Sequence, residues 1–161
     1  DERHTWLGAS LYMRELHGAP AAVSPRVKLD EEVRNAAIIR ELIHAGAVSA
    51  VHDLSEGGLA IGAAEMALAS GVGVTFVGGP DNFRQDELLF GEVQSRYLFA
   101  VPPARQAAAD AILARHRDIT ARLGSFGGDT IACAPAKLSV PLATLRAAHE
   151  GWLPNYMNSQ G

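Results

Sequence analysis

The nine residues Val51-His52-Asp53-Leu54-Ser55-Glu56-Gly57-Gly58-Leu59 decide how the chain is read. They lead from an apolar run at residues 48–54, through a turn of Ser, Glu and two Gly, into a segment of small residues at 59–70 with Leu59, Ala63 and Met66 on one face. The pattern is strand, tight turn, helix. Ala60, Gly62, Ala63, Ala64 and Ala67 would let that helix lie close against a sheet, and the run VGVTFVGG at residues 72–79 predicts a second strand. Together these segments predict a β-α-β unit.

Upstream, Leu29, Val33, Ala36, Ile39 and Ile43 recur at spacings of four and three, which predicts an amphipathic helix with those residues on its buried face. Asp30, Glu31 and Glu32 oppose the positive end of its dipole, and Gly46 stands where a glycine would end it. The small and Pro-containing run at residues 18–25 reads as a loop. The polar opening, residues 1–6, runs into LGASLYMRELHG without a clear cap, as if cut from within a larger chain.

Downstream, Tyr97, Phe99 and Val101 alternate with Leu98 and Ala100, so the strand at residues 96–101 is apolar on both faces and is expected to be central in its sheet. Pro102 and Pro103 end it, and Pro103 suits the first position of a helix at 104–116. Ile119, Ala121 and Leu123 alternate with Thr120 and Arg122, and Gly127-Gly128-Asp129 would turn this strand back into 130–133 as a hairpin. A last helix at 142–150 precedes GWLPNYM, whose Trp152, Leu153, Tyr156 and Met157 are expected to pack on the domain. The reading is a lead-in at residues 1–27 and one domain at 28–161, of α+β class, with a mixed β-sheet flanked by helices.

The 161 residues are 48% hydrophobic and 20% charged, the composition of a folded globular chain. The net charge of −4 shows no basic block or aromatic-basic stripe, which argues against nucleic acid as a partner. The single cysteine, Cys133, precludes an internal disulfide and reads as an inert core thiol. No apolar run is long enough to span a bilayer and no secretory signal pattern is present, so the expected location is the cytoplasm, with no membrane partner.

Two constellations carry polar chemistry. In the first, glycines at a helix start allow close approach to the backbone, and the dipole favours an anion, so the amides of Gly57, Gly58 and Leu59 are candidates for a phosphate. Asp53 or Ser55 would otherwise serve only as a cap, and no Gly-Lys-Ser/Thr follows to make a Walker loop. Asp53 and Glu56 suit a divalent cation held mainly by nucleotide phosphates, or are simply solvated carboxylates. The second constellation, Phe90-Gly91-Glu92-Val93-Gln94-Ser95-Arg96-Tyr97, offers an acceptor, an amide, a hydroxyl and a guanidinium at a strand start. A Glu92–Arg96 ion pair would account for the same residues structurally. The six histidines include no pair at metal-ligand helix spacing, so no metal site is assigned to them. His52 is the one histidine inside a motif, as an acid/base or a hydrogen-bonded strand-end residue.

LGASLYMRELHG, VHDLSEGGLAIGAAEMALASGVGVTF, LLFGEVQSRYLFAV and LGSFGGDTI, in this order and spacing, resemble the C-terminal part of the large synthase subunit of phosphoribosylformylglycinamidine synthase. HDLSEGGLA alone resembles the wider superfamily of aminoimidazole ribonucleotide synthase C-terminal domains. The resemblance implies that fold and a part in the ATP- and Mg2+-dependent conversion of formylglycinamide ribonucleotide and ammonia to formylglycinamidine ribonucleotide, ADP and phosphate. The implied partners are the preceding domains of the same subunit, a glutaminase subunit and a small bridging subunit. The implied nucleotide or phosphate contacts are Asp53, Ser55, Glu56, Gly57 and Gly58, then Glu92, Gln94 and Ser95. Val93 departs from the Ser or Asp common between the Glu and Gln of this motif. The family's main catalytic histidines, nucleotide lysine and most Mg2+ carboxylates lie in preceding domains, so the isolated chain is expected to be inert. The competing readings are another member of the superfamily, such as aminoimidazole ribonucleotide synthase, and a structural module without chemistry.

Overall fold

The computed structural model of the chain describes residues 6–19, 23–77 and 84–159. In chain order the elements are α1 (Leu11–His17), α2 (Leu29–His44), β1 (Ala50–Asp53), α3 (Gly58–Ser70), β2 (Val74–Phe76), α4 (Gln85–Phe90) and β3 (Tyr97–Ala100). A 3-10 turn (Pro103–Arg105), α5 (Gln106–Leu113), β4 (Gly124–Phe126), β5 (Thr130–Cys133), β6 (Leu138–Pro141) and α6 (Leu142–Ser159) follow. Most of the polar opening, the middle of the 18–25 loop and the glycines closing the 72–79 run lie outside the described residues. The class is α+β, as expected, and the chain divides into two compact units, Asp1–Gly62 with Pro80–Arg122 and Ala63–Gly79 with Leu123–Gly161.

In the first unit β1 and β3 pair antiparallel, with Ala50 opposite Ala100 and Asp53 opposite Tyr97. The strand at 96–101 was expected to be central; among the described residues β3 pairs with β1 alone. The face that carries Tyr97 and Phe99 is covered by helices. Phe99, Tyr97 and Val51 pack against a core of Ile38, Ile39, Leu42, Ala47, Ala109 and Ile112, contributed chiefly by α2 and α5.

Of the stripe predicted for α2, Ile39 lies in that core and Ala36 is half-buried, but the other three residues are turned outward. Leu29, Val33 and Ile43 are 70%, 68% and 51% exposed, whereas Ile38, Ile39 and Leu42 are buried. Apolar residues occupy more of this helix than one stripe, so periodicity alone does not choose the buried side; α5 and the β1–β3 pair choose it. The predicted caps fare better, with three acids in the first turn and Gly46 at φ +59 just beyond the end.

α1 begins at a cap that the sequence reading did not identify. The buried Ser10 hydroxyl donates to the Leu7 carbonyl at 2.6 Å and accepts from the Met13 amide at 3.3 Å, and Gly18 closes the helix in the left-handed region. Ser10→Ala is expected to destabilise the fold by about 1 kcal/mol. A loss in the midpoint of urea unfolding checks it, and an unchanged midpoint would mean that α1 does not contribute to the cooperative unit.

The second unit holds a four-stranded sheet in the order β4-β2-β5-β6. β2 runs parallel to β5 and antiparallel to β4, and β5 runs antiparallel to β6, so the sheet is mixed, as expected. The predicted connections differ. The β-α-β unit does not close into one sheet: β1 pairs in the first unit and β2 in the second, with α3 beginning in one and ending in the other. The predicted hairpin across Gly127-Gly128-Asp129 is also absent, because β2 lies between β4 and β5 and takes a ladder from each. The approach is close enough to need glycine: a Cβ on Gly124 would stand 2.0 Å from the Thr75 carbonyl oxygen. Residues 119–123 form no strand, and β6, which the sequence reading left out, completes the sheet.

Val74, Phe76, Ile131, Cys133 and Leu142 are buried in this unit. The terminal helix was expected to end near residue 150 with an apolar tail folded back. Instead α6 continues through Gly151 and Pro154, and Trp152, Leu153, Tyr156 and Met157 are each at least 48% exposed. Trp152 stacks on Tyr156 at 5.3 Å, so these rings are satisfied by each other one helical turn apart.

Candidate functional site

The antiparallel register of β1 and β3 brings the two polar motifs together. β1 ends at Asp53 opposite Tyr97, where β3 begins, and the Leu54 amide donates to the Arg96 carbonyl at 2.8 Å. The DLSEGG turn therefore leaves the sheet beside the EVQSR segment that enters it. Asp53, Ser55, Glu56, Glu92, Gln94 and Ser95, all six candidates that carry a side chain, are among the residues lining a single cavity of about 360 Å3. Gly57 and Gly58 are buried at the base of the turn.

Within this arrangement the two charges of the second motif, Glu92 and Arg96, do not pair with each other. Glu92 Oε1 accepts the amides of Leu11 and Gly57, each at 2.7 Å. Arg96 donates to the carbonyls of Gly91 at 3.0 Å and Leu88 at 3.3 Å, at the C-terminal end of α4. The Glu92–Arg96 ion pair considered from sequence is thus replaced by two charge-to-backbone contacts, a carboxylate on amides and a guanidinium on carbonyls. Burial holds the Arg96 guanidinium below its ordinary value.

The backbone amides of the glycine turn are largely engaged inside the chain. Gly57 donates to Glu92 and Gly58 to the Ser55 carbonyl at 3.1 Å. Ser55, Glu56, Gln94 and Ser95 line the cavity, whereas Gly57 and Gly58 are not among its lining residues. Ser95 is the most distinctive of the four: its backbone sits at φ +63, and its Oγ is buried without a hydrogen-bond partner among the described residues. The Ser95 carbonyl is held by Asn35 Nδ2 at 3.0 Å, which ties this strained residue to α2. Val93, between Glu92 and Gln94, is buried and lines the cavity, so it adds an apolar residue among these polar ones.

Two further features of the site carry no recognisable signal in the sequence. Glu32, read as a dipole acid at the start of α2, lines this cavity. A second cavity of about 410 Å3 shares Glu32, Val93, Gln94 and Ser95 with the first and adds Arg26 and Lys28. These cations follow the run read only as a loop, where no periodicity or motif signals a site. His52 places Nδ1 2.6 Å from the Asp53 carbonyl oxygen; a carbonyl only accepts, so that nitrogen carries the proton and the strand-end role fits it. Among the described residues no three His, Cys, Asp or Glu side chains come close enough to hold a metal ion by themselves.

Comparison with known proteins places this geometry in a family. Residues 6–131 match the family model of the AIR synthase related protein, C-terminal domain. The chain belongs to this family. The match covers the EVQSR and DLSEGG motifs and ends within β5 of the AIR synthase related domain. Among its relatives is the phosphoribosylformylglycinamidine synthase subunit PurL of Bradyrhizobium diazoefficiens, 43% identical over 99% of this chain and 22% of that protein. The subunit of the same name from Methylocella silvestris is 45% identical over 94% of this chain and 20% of that one. The chain thus spans about a fifth of the length of the curated relatives it matches. A solved structure described as "T. maritima PurL complexed with FGAR" superposes with a TM-score of 0.65 at 16% identity, covering 88% of this chain and 26% of that one. Another, "T. maritima PurL complexed with AMPPCP", has a TM-score of 0.55 at 16% identity, over 68% and 20% of the two chains. At such identity these two likenesses establish the fold.

Proposed function

We propose that this chain is the C-terminal part of an ATP-dependent formylglycinamidine ribonucleotide synthase and contributes one wall of a nucleotide or phosphate site. The observation that supports the reading is the 43% identity maintained over 99% of the chain with a subunit named phosphoribosylformylglycinamidine synthase. The reaction is the conversion of an amide to an amidine in de novo purine biosynthesis: ATP phosphorylates the amide oxygen, and ammonia then displaces phosphate at the same carbon. Ammonia comes from glutamine on a glutaminase subunit, delivered with the help of a small bridging subunit, in the cytoplasm. The solved structure described as "Structure of PurLQS from Thermotoga maritima" has the same fold over 84% of this chain, with a TM-score of 0.60.

The donor set around the cavity suits a nucleotide. Ser55, Gln94 and Ser95 supply hydroxyl and amide contacts, and the buried Ser95 Oγ is a polar atom still to be satisfied. Asp53 and Glu56 provide the one or two carboxylates that a Mg2+ ion needs when phosphates complete its shell. That ion would neutralise charge on the phosphoryl group. Glu92, Gly57 and Gly58 shape the turn that presents Ser55 and Glu56. In this reading residues 28–161 act as one functional domain, with residues 1–27 leading in from the preceding domains, and the chain alone turns nothing over.

The test is complementation. This chain is mixed with a separately produced polypeptide comprising the preceding part of the subunit, and ADP release is followed with formylglycinamide ribonucleotide, Mg-ATP and free ammonia. Release is expected only in the mixture, and Ser95→Ala in this chain is expected to reduce it by about tenfold, the loss of one hydrogen bond to a charged group. Substrate-dependent ADP release by this chain alone would overturn the inert reading. Silence from a mixture shown to associate would favour another member of the superfamily or a structural module.

A further inference from the structure

We infer that Glu92 is the positioning residue of this site: one carboxylate oxygen, Oε1, fastens the glycine turn before α3 to the first turn of α1. The two amides it accepts, Leu11 and Gly57, are 2.7 Å away and belong to segments 46 residues apart in the chain. Neither amide has an intrahelical acceptor, since Leu11 is the first residue of α1 and Gly57 precedes the first residue of α3. A single anion between two helix starts satisfies both and opposes both dipoles.

The surroundings hold the carboxylate in place from its own backbone as well. The Glu92 amide donates to the Trp6 carbonyl at 3.0 Å, just upstream of α1, and Arg96 ties the preceding Gly91 carbonyl to the end of α4. Tyr12 of α1 stacks on Phe90 of α4 at 4.7 Å. Glu92 thus sits at the junction of three segments, with its Oε1 turned to backbone donors. The anion that a glycine turn at a helix start would otherwise recruit from solvent is supplied here by the chain itself. The consequence for the cavity is that Ser55 and Glu56, which precede Gly57, are presented in a geometry that depends on the Glu92 carboxylate. That consequence rests on the proposed nucleotide-facing role of the cavity; the tether itself does not.

The test uses the chain without ligand, labelled with 15N. In hydrogen exchange, Glu92→Ala is expected to accelerate both amides by about tenfold or more, while Glu92→Gln, which keeps an acceptor oxygen, retains most of the protection. A helix start that needed only bulk would not distinguish Gln from Ala. Acceleration at only one amide, or equal acceleration in Glu92→Gln and Glu92→Ala, would overturn the inference. If Glu92→Ala does not fold, Glu92→Asp, whose shorter side chain withdraws the carboxylate from both amides, is read in its place: the two amides accelerate together, or the inference falls. Because no nucleotide is present, failure here leaves the functional reading standing, and silence in the complementation assay leaves the tether standing.

Discussion

Gly58→Ala is expected to destabilise the protein by about 3 kcal/mol or more, from two additive causes. The backbone at Gly58 has φ +62, where an L side chain costs about 1–2 kcal/mol. The new methyl would also stand 2.6 Å from the Gly91 carbonyl oxygen, 3.0 Å from the Phe90 carbonyl carbon and 3.1 Å from the Leu89 carbonyl oxygen. All three are backbone atoms at the end of α4, and the Gly91 carbonyl is already held by Arg96. No side chain can swing aside, so the turn and α4 must separate. Gly71→Ala is the control: its φ is +71 and its Cβ would meet nothing within 4 Å, so only the conformational cost of about 1–2 kcal/mol applies. Thermal unfolding of both variants checks the difference, at roughly 2–4 °C per kcal/mol for a chain of this size. Equal shifts would mean that the turn does not lie against α4 as described.

Leu42→Ala is expected to cost about 3 kcal/mol, within the range of 2–5 for emptying a packed leucine site. Leu42 is 0% exposed in the cluster built by α2, α5 and the β1–β3 pair, so both its transfer energy and the cavity left behind count. The informative comparison is Leu29→Ala on the same helix. Leu29 is the first residue of the stripe that the sequence spacing favours, yet it is 70% exposed, and its truncation is expected to change stability by no more than about 0.5 kcal/mol. Urea unfolding of the two variants reads which side of α2 is buried. If Leu29→Ala proved the costlier, the helix would be rotated from the orientation described.

These two substitutions mark where sequence reasoning worked and where it stopped. The strand-turn-helix at residues 48–70 was legible because its signals are local: an apolar run, a turn of Ser, Glu and Gly, and small residues at helical spacing. The acids and the glycine bounding α2 were legible for the same reason. The buried side of α2 was legible only in part: Ile39 of the predicted stripe is buried, but Leu29, Val33 and Ile43 are as apolar as Ile38 and Leu42, and only packing partners distinguish them. The predicted hairpin at Gly127-Gly128-Asp129 failed on a similar point. Glycines permit a turn but do not exclude a third strand from entering between its arms, and β2, 50 residues upstream of Gly124, does so.

For the site, the residue types were readable and their meeting was not. Asp53, Ser55 and Glu56 lie about 40 residues from Glu92, Gln94 and Ser95, and nothing in either motif states that they share a cavity. Arg26 and Lys28 went unnoticed because no pattern accompanies them. Glu92 and Arg96 were visible as opposite charges on neighbouring turns of sequence. Their partners are backbone groups of α1, the glycine turn and α4, and a side-chain alphabet does not record where unpaired amides and carbonyls will stand.

What the sequence determined by itself is therefore the α+β class, the strand-turn-helix around Gly57-Gly58, most helix positions, and membership of a family through motifs whose order and spacing are specific. These follow from periodicity, turn chemistry and residue identity, which act over a few residues. The tertiary structure alone decided that β1 pairs antiparallel with β3, that β2 joins a different sheet, and that one oxygen of Glu92 serves two helix starts. Those outcomes depend on which distant segments can bury apolar surface and satisfy backbone groups together. That is a property of the packed chain, and no local window contains it.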